Sequence, residues 1–336
     1  MNEQIKLSVV CITYNHEAFI RDCLNGFVMQ KTDFPFEILI NDDASTDKTA
    51  EIIREYEKKY PHLFRCVYQT ENQWGKKNAW NDILFPMIRG KYVALCEGDD
   101  YWTDPLKLQK QVDFLETHPD VSVCFHPVLV HWEDHSEPDN LFPSDKERFY
   151  KTELTLTDLL NRNFIQTNSV VYRWRFHRDP PELLPDNVLP EDYFVHLLHA
   201  QTGKIVFLPD VMSVYRRHPD GIWNGAGEKH EWFIRCGISM LRFYLAIQKQ
   251  FGKNCADELN GLSILTYLHL QKAGRDDLIK TLCSVYPPAL NDLRFSFGKL
   301  LFYTFFSKFC FGNPRRKMRR RKKILKQIVN FKRGRK

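Results

Sequence analysis

Two acidic clusters carry most of the chemical potential of this sequence: Asp42-Asp43, directly after the apolar run FEILI, and Glu97, Asp99 and Asp100, directly after KYVALC. Three carboxylates within four residues repel one another unless a cation or hydrogen-bond donors compensate. Hard divalent cations take carboxylate oxygens. EGDD is therefore a candidate for holding a cation or a diphosphate; the plainer alternative is a solvated acidic turn continued by Asp104-Pro105. A carboxylate at Asp42 or Asp43 can accept hydrogen bonds from a base edge or a ribose. It can equally close an Asx-turn or cap a helix, and one of the pair is expected to do each. Tyr14, in TYNH, offers a flat face for a base or else half-buries in the core.

These clusters are placed by a repeating pattern of elements. Leu7–Ile12 is a continuous, β-branched apolar run, the mark of a strand buried on both faces in a parallel sheet. A helix is expected over Ala18–Met29 and a second strand over Phe36–Ile40. The helix TAEIIREYEKKY follows, with Ser45 or Thr46 as its cap. A third strand at Phe64–Gln69, a helix at Trp80–Ile88 and a strand at KYVALC continue the alternation. The pattern implies an α/β fold with a mostly parallel central sheet flanked by helices. Ligands of such sheets gather at the carboxyl ends of the strands, and TYNH, NDDAS and EGDD all fall there. Further on, the sequence predicts a helix over about 106–117, a strand over Val121–His131, a polar loop over Asp134–Lys151 and a helix from Thr157. A strand from Asn168, a helix opened by LPEDYF and the strand KIVFLP follow, and 230–284 is helical throughout.

The 336 residues allow one large domain, or a catalytic domain with an appendage. With 43% hydrophobic and 14% aromatic residues, wholesale disorder is excluded. Nine scattered cysteines form no C-x-x-C pair, which excludes zinc ribbons and thioredoxin-like sites; apolar neighbours mark them as reduced core thiols of a cytosolic protein. The N-terminal segment predicts no cleaved signal peptide, and no window of about 20 residues is apolar enough to span a bilayer. Of 48 Lys and Arg, thirteen fall between 315 and 336 with no Asp or Glu, leaving 35 against 42 acidic residues elsewhere. The aromatic stretch Phe295–Gly312 followed by this basic run suggests a two-part membrane-surface anchor; a packed helix with a solvated tail is the alternative. An acidic body without a recognition motif argues against nucleic acid.

SVVCITYN, then FEILINDDASTDKTAEII, then GKYVALCEGDDYW, separated by about 28 and 57 residues, resemble the family 2 glycosyltransferases of the GT-A fold. The resemblance spans roughly residues 5–225 and is strongest over the first 110. It implies an inverting enzyme dependent on Mn2+ or Mg2+. Such an enzyme holds a nucleoside, neutralises a departing diphosphate and deprotonates an acceptor hydroxyl. By this resemblance Asp43 contacts the base with Tyr14 beside it, Asp99 contacts ribose or diphosphate or joins the metal site, and Asp100 is the metal ligand. Glu97 stands where many members carry the first Asp of D-x-D, and its role is open; with Trp102 and Trp223 it is placed near donor or acceptor sugar. Lys76 and Lys77 fall where members bring basic residues to the nucleotide. LPEDYF resembles the element carrying the general base, Asp192, with Glu191 as a supporting group or in its place; acidic residues there also stabilise a helix N-terminus. SVYRRHPDGIWN resembles a segment whose histidine, here His218, completes the metal site. The processive motif Q-x-x-R-W is absent, which implies transfer of a single sugar.

The resemblance implies a nucleotide-sugar donor, a UDP-sugar foremost, and a glycan or lipid-linked acceptor in a bacterial surface-polysaccharide pathway. It places the enzyme in the cytoplasm, on the inner face of the membrane. Three regions are expected: a catalytic domain over 1–228, a helical region over 229–290, and the amphipathic segment and basic tail over 291–336. The competing readings are a nucleotide-binding scaffold of this fold without turnover, and a nucleotidyltransferase. The latter class opens with a Gly-rich basic loop after strand one, which TYNHEAF is not.

Overall fold

The apolar runs read from the sequence assemble, in a computed structural model that describes residues 4–74, 80–144, 153–176, 185–223 and 229–287, into a seven-stranded sheet. Its strands are β1 (Leu7–Thr13), β2 (Phe36–Asp42), β3 (Phe64–Tyr68), β4 (Tyr92–Leu95), β6 (Val121–Phe125), β9 (Val171–Arg173) and β10 (Lys204–Phe207), in the order β10-β6-β9-β4-β1-β2-β3. All neighbours are parallel except β9, which runs against both β4 and β6. β1 and β4 are apolar along their length because both faces are covered. Helices α1 (Ile20–Val28), α2 (Thr49–Lys59) and α3 (Lys107–Thr117) supply Ile20, Cys23, Leu24, Phe27, Ile52, Ile53, Leu108 and Val112 to the buried core.

A smaller sheet, order β5-β11-β7-β8, joins β5 (Tyr101–Trp102), β7 (Val128–Trp132), β8 (Asn140–Phe142) and β11 (Ser213–Arg217). The run 121–131 expected as one strand is therefore two, one in each sheet. The break falls at His126-Pro127, where proline lacks the amide that a ladder needs and restricts the residue before it. Trp80–Ile88 is likewise no regular helix: a wide turn over Trp80–Leu84 passes into a 3-10 turn over Phe85–Met87, where Pro86 withholds a helical donor. The expected loop 134–151 contains β8; residues 145–152 lie outside the described set. Helices α4 (Leu156–Asn161) and α5 (Glu191–Ala200) complete this part, α4 opened by a capping box between Thr155 and Asp158.

The chain divides into two compact units, 1–227 and 228–336. In the second, α6 (Lys229–Phe251), α7 (Ala256–Lys272) and α8 (Asp276–Val285) pack on one another, with Gly237 of α6 against Thr266 of α7. The expected anchor and tail over 291–336 lie outside the described residues. Among those described, eight cysteines are free thiols, and no helix is long and apolar enough to cross a membrane.

Candidate active site

The parallel strands deliver their carboxyl ends to one edge, and the loops there are stitched to each other. Asn15, at positive φ, accepts the Thr46 amide at 2.8 Å on its side chain and donates its own amide to the Ser45 hydroxyl at 2.9 Å. Ser45 in turn donates to Asp42 at 2.5 Å. This overturns the expected cap of α2. Ser45 is spent on Asp42, Thr46 on Asn15, and the carboxylate of Asp47 accepts the Thr49 amide at 2.9 Å instead. Asp42 thus closes the turn. Asp43 accepts the Gln73 amide at 2.7 Å and lies beside the Asn72 side chain. Tyr14 is exposed at this edge rather than half-buried in the core. Lys76 and Lys77 lie outside the described residues.

The loop after β4 approaches the end of β1 closely. A Cβ on Gly98 would stand 2.5 Å from the Thr13 hydroxyl and 3.0 Å from His16 Nδ1, so only glycine fits. This approach gathers Glu97, Asp99 and Asp100 so that one carboxylate oxygen of each lies within 4.8 Å of the others. Asp100 is fully buried. Its Oδ1 accepts the Arg216 amide at 2.8 Å, and its Oδ2 has no hydrogen-bond partner among the described residues. An orphaned buried carboxylate oxygen beside two further carboxylates fits a divalent cation, since burial without a partner is otherwise costly. Burial, reinforced by Asp99 and Glu97, pushes the Asp100 carboxyl well above its ordinary range. Burial with Asp99, Asp192 and Glu191 does the same to Glu97. Asp99 behaves oppositely: burial works against its charge, but His16 and His218 outweigh it and hold the carboxyl low. His218 Nε2 lies 3.1 Å from Asp99 Oδ2 and His16 Nε2 3.8 Å from the same oxygen.

The smaller sheet holds the far wall. Arg216 pairs with Asp22 at 2.8 Å and with Glu133, its guanidinium lying over Phe19 and Tyr101. This fixes the end of β11 and hence His218. Trp102 does not meet the expectation of a sugar contact. It is 2% exposed, donates to the Asn168 carbonyl at 3.0 Å, and packs between Phe27 and the buried Lys107 ammonium. The reason is close packing: a Cβ on Gly26 would lie 2.8 Å from the Trp102 amide, so α1 sits directly on β5 and encloses the indole. Trp102 instead anchors the turn Thr167–Ser169, whose Asn168 donates to the Val214 carbonyl at 2.8 Å. Trp223 is exposed.

Because β9 is reversed, the turn preceding it lies at the ligand edge. Thr167 there donates to Asp192 Oδ2 at 2.5 Å, while Asp192 Oδ1 has no hydrogen-bond partner among the described residues. Glu191, beside it at the start of α5, is pushed up to about 8 by burial and by the charges of Asp192, Asp186 and Asp82. The edge therefore holds a triad suited to a cation and, within electrostatic reach of Glu97, a separate anchored carboxylate. Residues 8–221 match the family described as Glycosyl transferase family 2.

The chain belongs to glycosyl transferase family 2. It is 50% identical over 220 residues to an uncharacterized protein of Mycobacterium tuberculosis, covering 66% of this chain and 61% of that one. It is 32% identical over 224 residues to the poly(ribitol-phosphate) beta-N-acetylglucosaminyltransferase TarS of Staphylococcus aureus, covering 65% of this chain and 36% of that protein. The chain thus spans less than two thirds of the length of these relatives. Its fold is similar to residues 1–349 of S. aureus TarS in complex with UDP-GlcNAc, with a TM-score of 0.54 at 20% identity over 79% of this chain and 72% of that one. It is also similar to a mannosyltransferase from Pyrobaculum calidifontis in complex with GDP-Man and Mn2+, with a TM-score of 0.51 at 17% identity over 94% and 83%. The fold is GT-A, as the resemblance to the family 2 glycosyltransferases implies, and the alternation of strands and helices gave its α/β class.

Sequence reasoning passed over His16, Thr167 and Arg216. His16 had a signal, standing directly after TYN at a strand end. Thr167 and Arg216 had none, because their importance depends on the reversal of β9 and on the second sheet.

Crowded carboxylates make stability depend on pH. Glu97, Asp100 and Glu191 hold protons in the folded chain at pH values where the unfolded chain has lost them. Stability without metal should therefore fall as pH rises from the ordinary carboxylate range toward about 8. A bound cation needs the ionised forms, so stabilisation by Mn2+ should grow over the same interval. At 100-fold excess over its dissociation constant, Mn2+ should add about 2.7 kcal/mol, roughly 5–10 °C in melting temperature. Thermal melts with Mn2+ or EDTA at pH 5 and pH 8 check this; equal Mn2+ shifts at both pH values would contradict it.

Proposed function

We propose that this transferase is inverting and metal-dependent and moves a single sugar from a nucleotide-sugar donor to a hydroxyl of a glycan or lipid-linked acceptor. The supporting observation is the pairing, at one sheet edge, of the Glu97-Asp99-Asp100 triad, whose Asp100 has a buried oxygen unpartnered among the described residues, with Asp192, anchored by Thr167 through Oδ2. Asp100 and Asp99, with Glu97, would hold Mn2+ or Mg2+, and His218 and His16 would keep Asp99 charged and oriented. A bound divalent cation offsets the negative charge of the leaving nucleoside diphosphate. Asp43 and Tyr14 receive the nucleoside, and the family resemblance assigns Lys76 or Lys77 to the nucleotide as well.

Asp192 Oδ1 takes the acceptor's hydroxyl proton as that oxygen attacks the anomeric carbon from the face opposite the diphosphate. The new C–O bond forms there while the bond to the diphosphate breaks, its electron pair leaving with the nucleotide. Glu191, protonated near neutrality, supports this site rather than serving as its base.

A UDP-sugar is the expected donor, in line with the S. aureus relative, and bacterial surface-polysaccharide synthesis the expected setting. The segment 295–336 would rest on the inner membrane face, near a lipid-linked acceptor. A panel of UDP-, GDP- and dTDP-sugars with Mn2+ and membrane extract, followed by product analysis, tests the proposal. Nucleoside diphosphate release and inverted anomeric configuration are expected. Pyrophosphate release would indicate a nucleotidyltransferase, and nucleotide binding without any release a scaffold.

A further inference from the structure

Beneath Asp192 lies a side chain that the reaction as described leaves unused. We propose that His196 is a positioning residue for Asp192, donating its Nε2–H to Asp192 Oδ2 when the acceptor is bound, with Tyr172 fixing the tautomer that permits this. The inference rests on the reading of Asp192 as general base.

His196 follows Asp192 by one turn on α5, with Nε2 3.9 Å from Asp192 Oδ2. The imidazole is fully buried and its Nε2 has no hydrogen-bond partner among the described residues. An orphaned buried ring nitrogen 3.9 Å from a carboxylate oxygen costs free energy unless a contact is completed in some state. On its other side, Nδ1 is hydrogen-bonded to the hydroxyl of Tyr172, itself fully buried in β9 and stacked on His199. That hydroxyl has no other acceptor among the described residues. If Nδ1 donated, the Tyr172 proton would be stranded, so the satisfied arrangement has Tyr172 donating and the imidazole proton on Nε2, facing Asp192. Burial keeps the ring neutral, pushing it down to about 4, so it offers one fixed N–H rather than a second charge.

Thr167 already holds Asp192 Oδ2 from the opposite side. Two donors on Oδ2 would leave Oδ1 as the oxygen that accepts the proton and would stabilise the ionised carboxylate before reaction. Closing the gap requires a shift of about 1 Å to reach hydrogen-bond distance. The titratable groups facing the pair are Glu97 and Glu191 toward Asp192, and Tyr172 and His199 toward His196.

The test is the pH dependence of kcat in the full chain for His196→Ala, His196→Gln, Tyr172→Phe, Asp192→Asn and the double variant His196→Ala/Asp192→Asn. A hydrogen bond to a charged group is worth about 10- to 100-fold in rate when lost. His196→Ala should lose that much kcat, with the nucleotide-sugar KM unchanged and the acidic limb of the profile moved to higher pH. His196→Gln, which keeps an N–H donor and fills the space, should recover most of the rate, and Tyr172→Phe carries the test if the alanine variant melts early. Tyr172→Phe should move the limb in the same direction. The double variant should be no slower than Asp192→Asn alone. An acidic limb unmoved in His196→Ala and in Tyr172→Phe, or losses that multiply in the double variant, would overturn the proposal while leaving Asp192 as base. Wild-type turnover in Asp192→Asn would instead overturn the base assignment, and the positioning role with it.

Discussion

Asp192→Asn is expected to lower kcat by about 10³-fold, the middle of the range for a lost general base. The substitution keeps size and a carbonyl oxygen for Thr167, so the 2.5 Å anchor has a substitute and the fold should persist. What disappears is the group that takes the acceptor's proton. The nucleotide-sugar KM should change little, because donor contacts are assigned to Asp43, Tyr14 and the acidic triad. Glu191→Gln is the paired control. Its carboxyl, raised to about 8 by burial and by neighbouring carboxylates, is mostly protonated at pH 7, and an amide mimics that state. It should retain most activity at pH 7. A larger loss in Glu191→Gln than in Asp192→Asn, measured as kcat at pH 7 with saturating acceptor, would exchange the two roles.

Asp100→Asn is expected to be as severe for a different reason. Several kcal/mol of charge stabilisation at the leaving diphosphate correspond to at least about 10³-fold in rate. The variant also separates function from folding. Burial and the neighbouring carboxylates of Asp99 and Glu97 raise the Asp100 carboxyl well above its ordinary range, so its charged form is disfavoured in the folded chain without metal. An amide at that position should leave the metal-free melting temperature unchanged or higher, while the stabilisation by Mn2+ is lost. A variant that is inactive because it is unfolded would melt early in EDTA.

The sequence made the sheet legible because its strands bury both faces: LSVVCI, FEILI and KYVALC are runs that no solvent-facing element would carry. The position of EGDD at a strand end was legible for the same reason. What stayed hidden depends on contacts between distant segments. The division of 121–131 into two strands turns on Pro127 and on which sheet each half joins. Trp102 reads as a tryptophan in a polar loop, and only the approach of α1 through Gly26 shows that it is enclosed. Thr167 and His196 are unremarkable in sequence, since nothing local indicates that a reversed strand brings Thr167 and Tyr172 to opposite ends of one carboxylate–imidazole pair. Ser45 illustrates the competition between local and tertiary bonding: a sound cap by type, it is drawn to Asp42 because the end of β2 needs a donor more than α2 does.

The most direct test of the account is the initial rate of nucleoside diphosphate release as Mn2+ is titrated into metal-stripped protein, for the wild-type chain and Asp100→Asn, with donor and membrane acceptor present. Release that rises from baseline to saturation with Mn2+ in the wild type and stays at baseline in Asp100→Asn is the predicted result. Full release in EDTA, or an Mn2+ response in Asp100→Asn equal to that of the wild type, would contradict a metal-dependent transfer centred on the Glu97-Asp99-Asp100 triad.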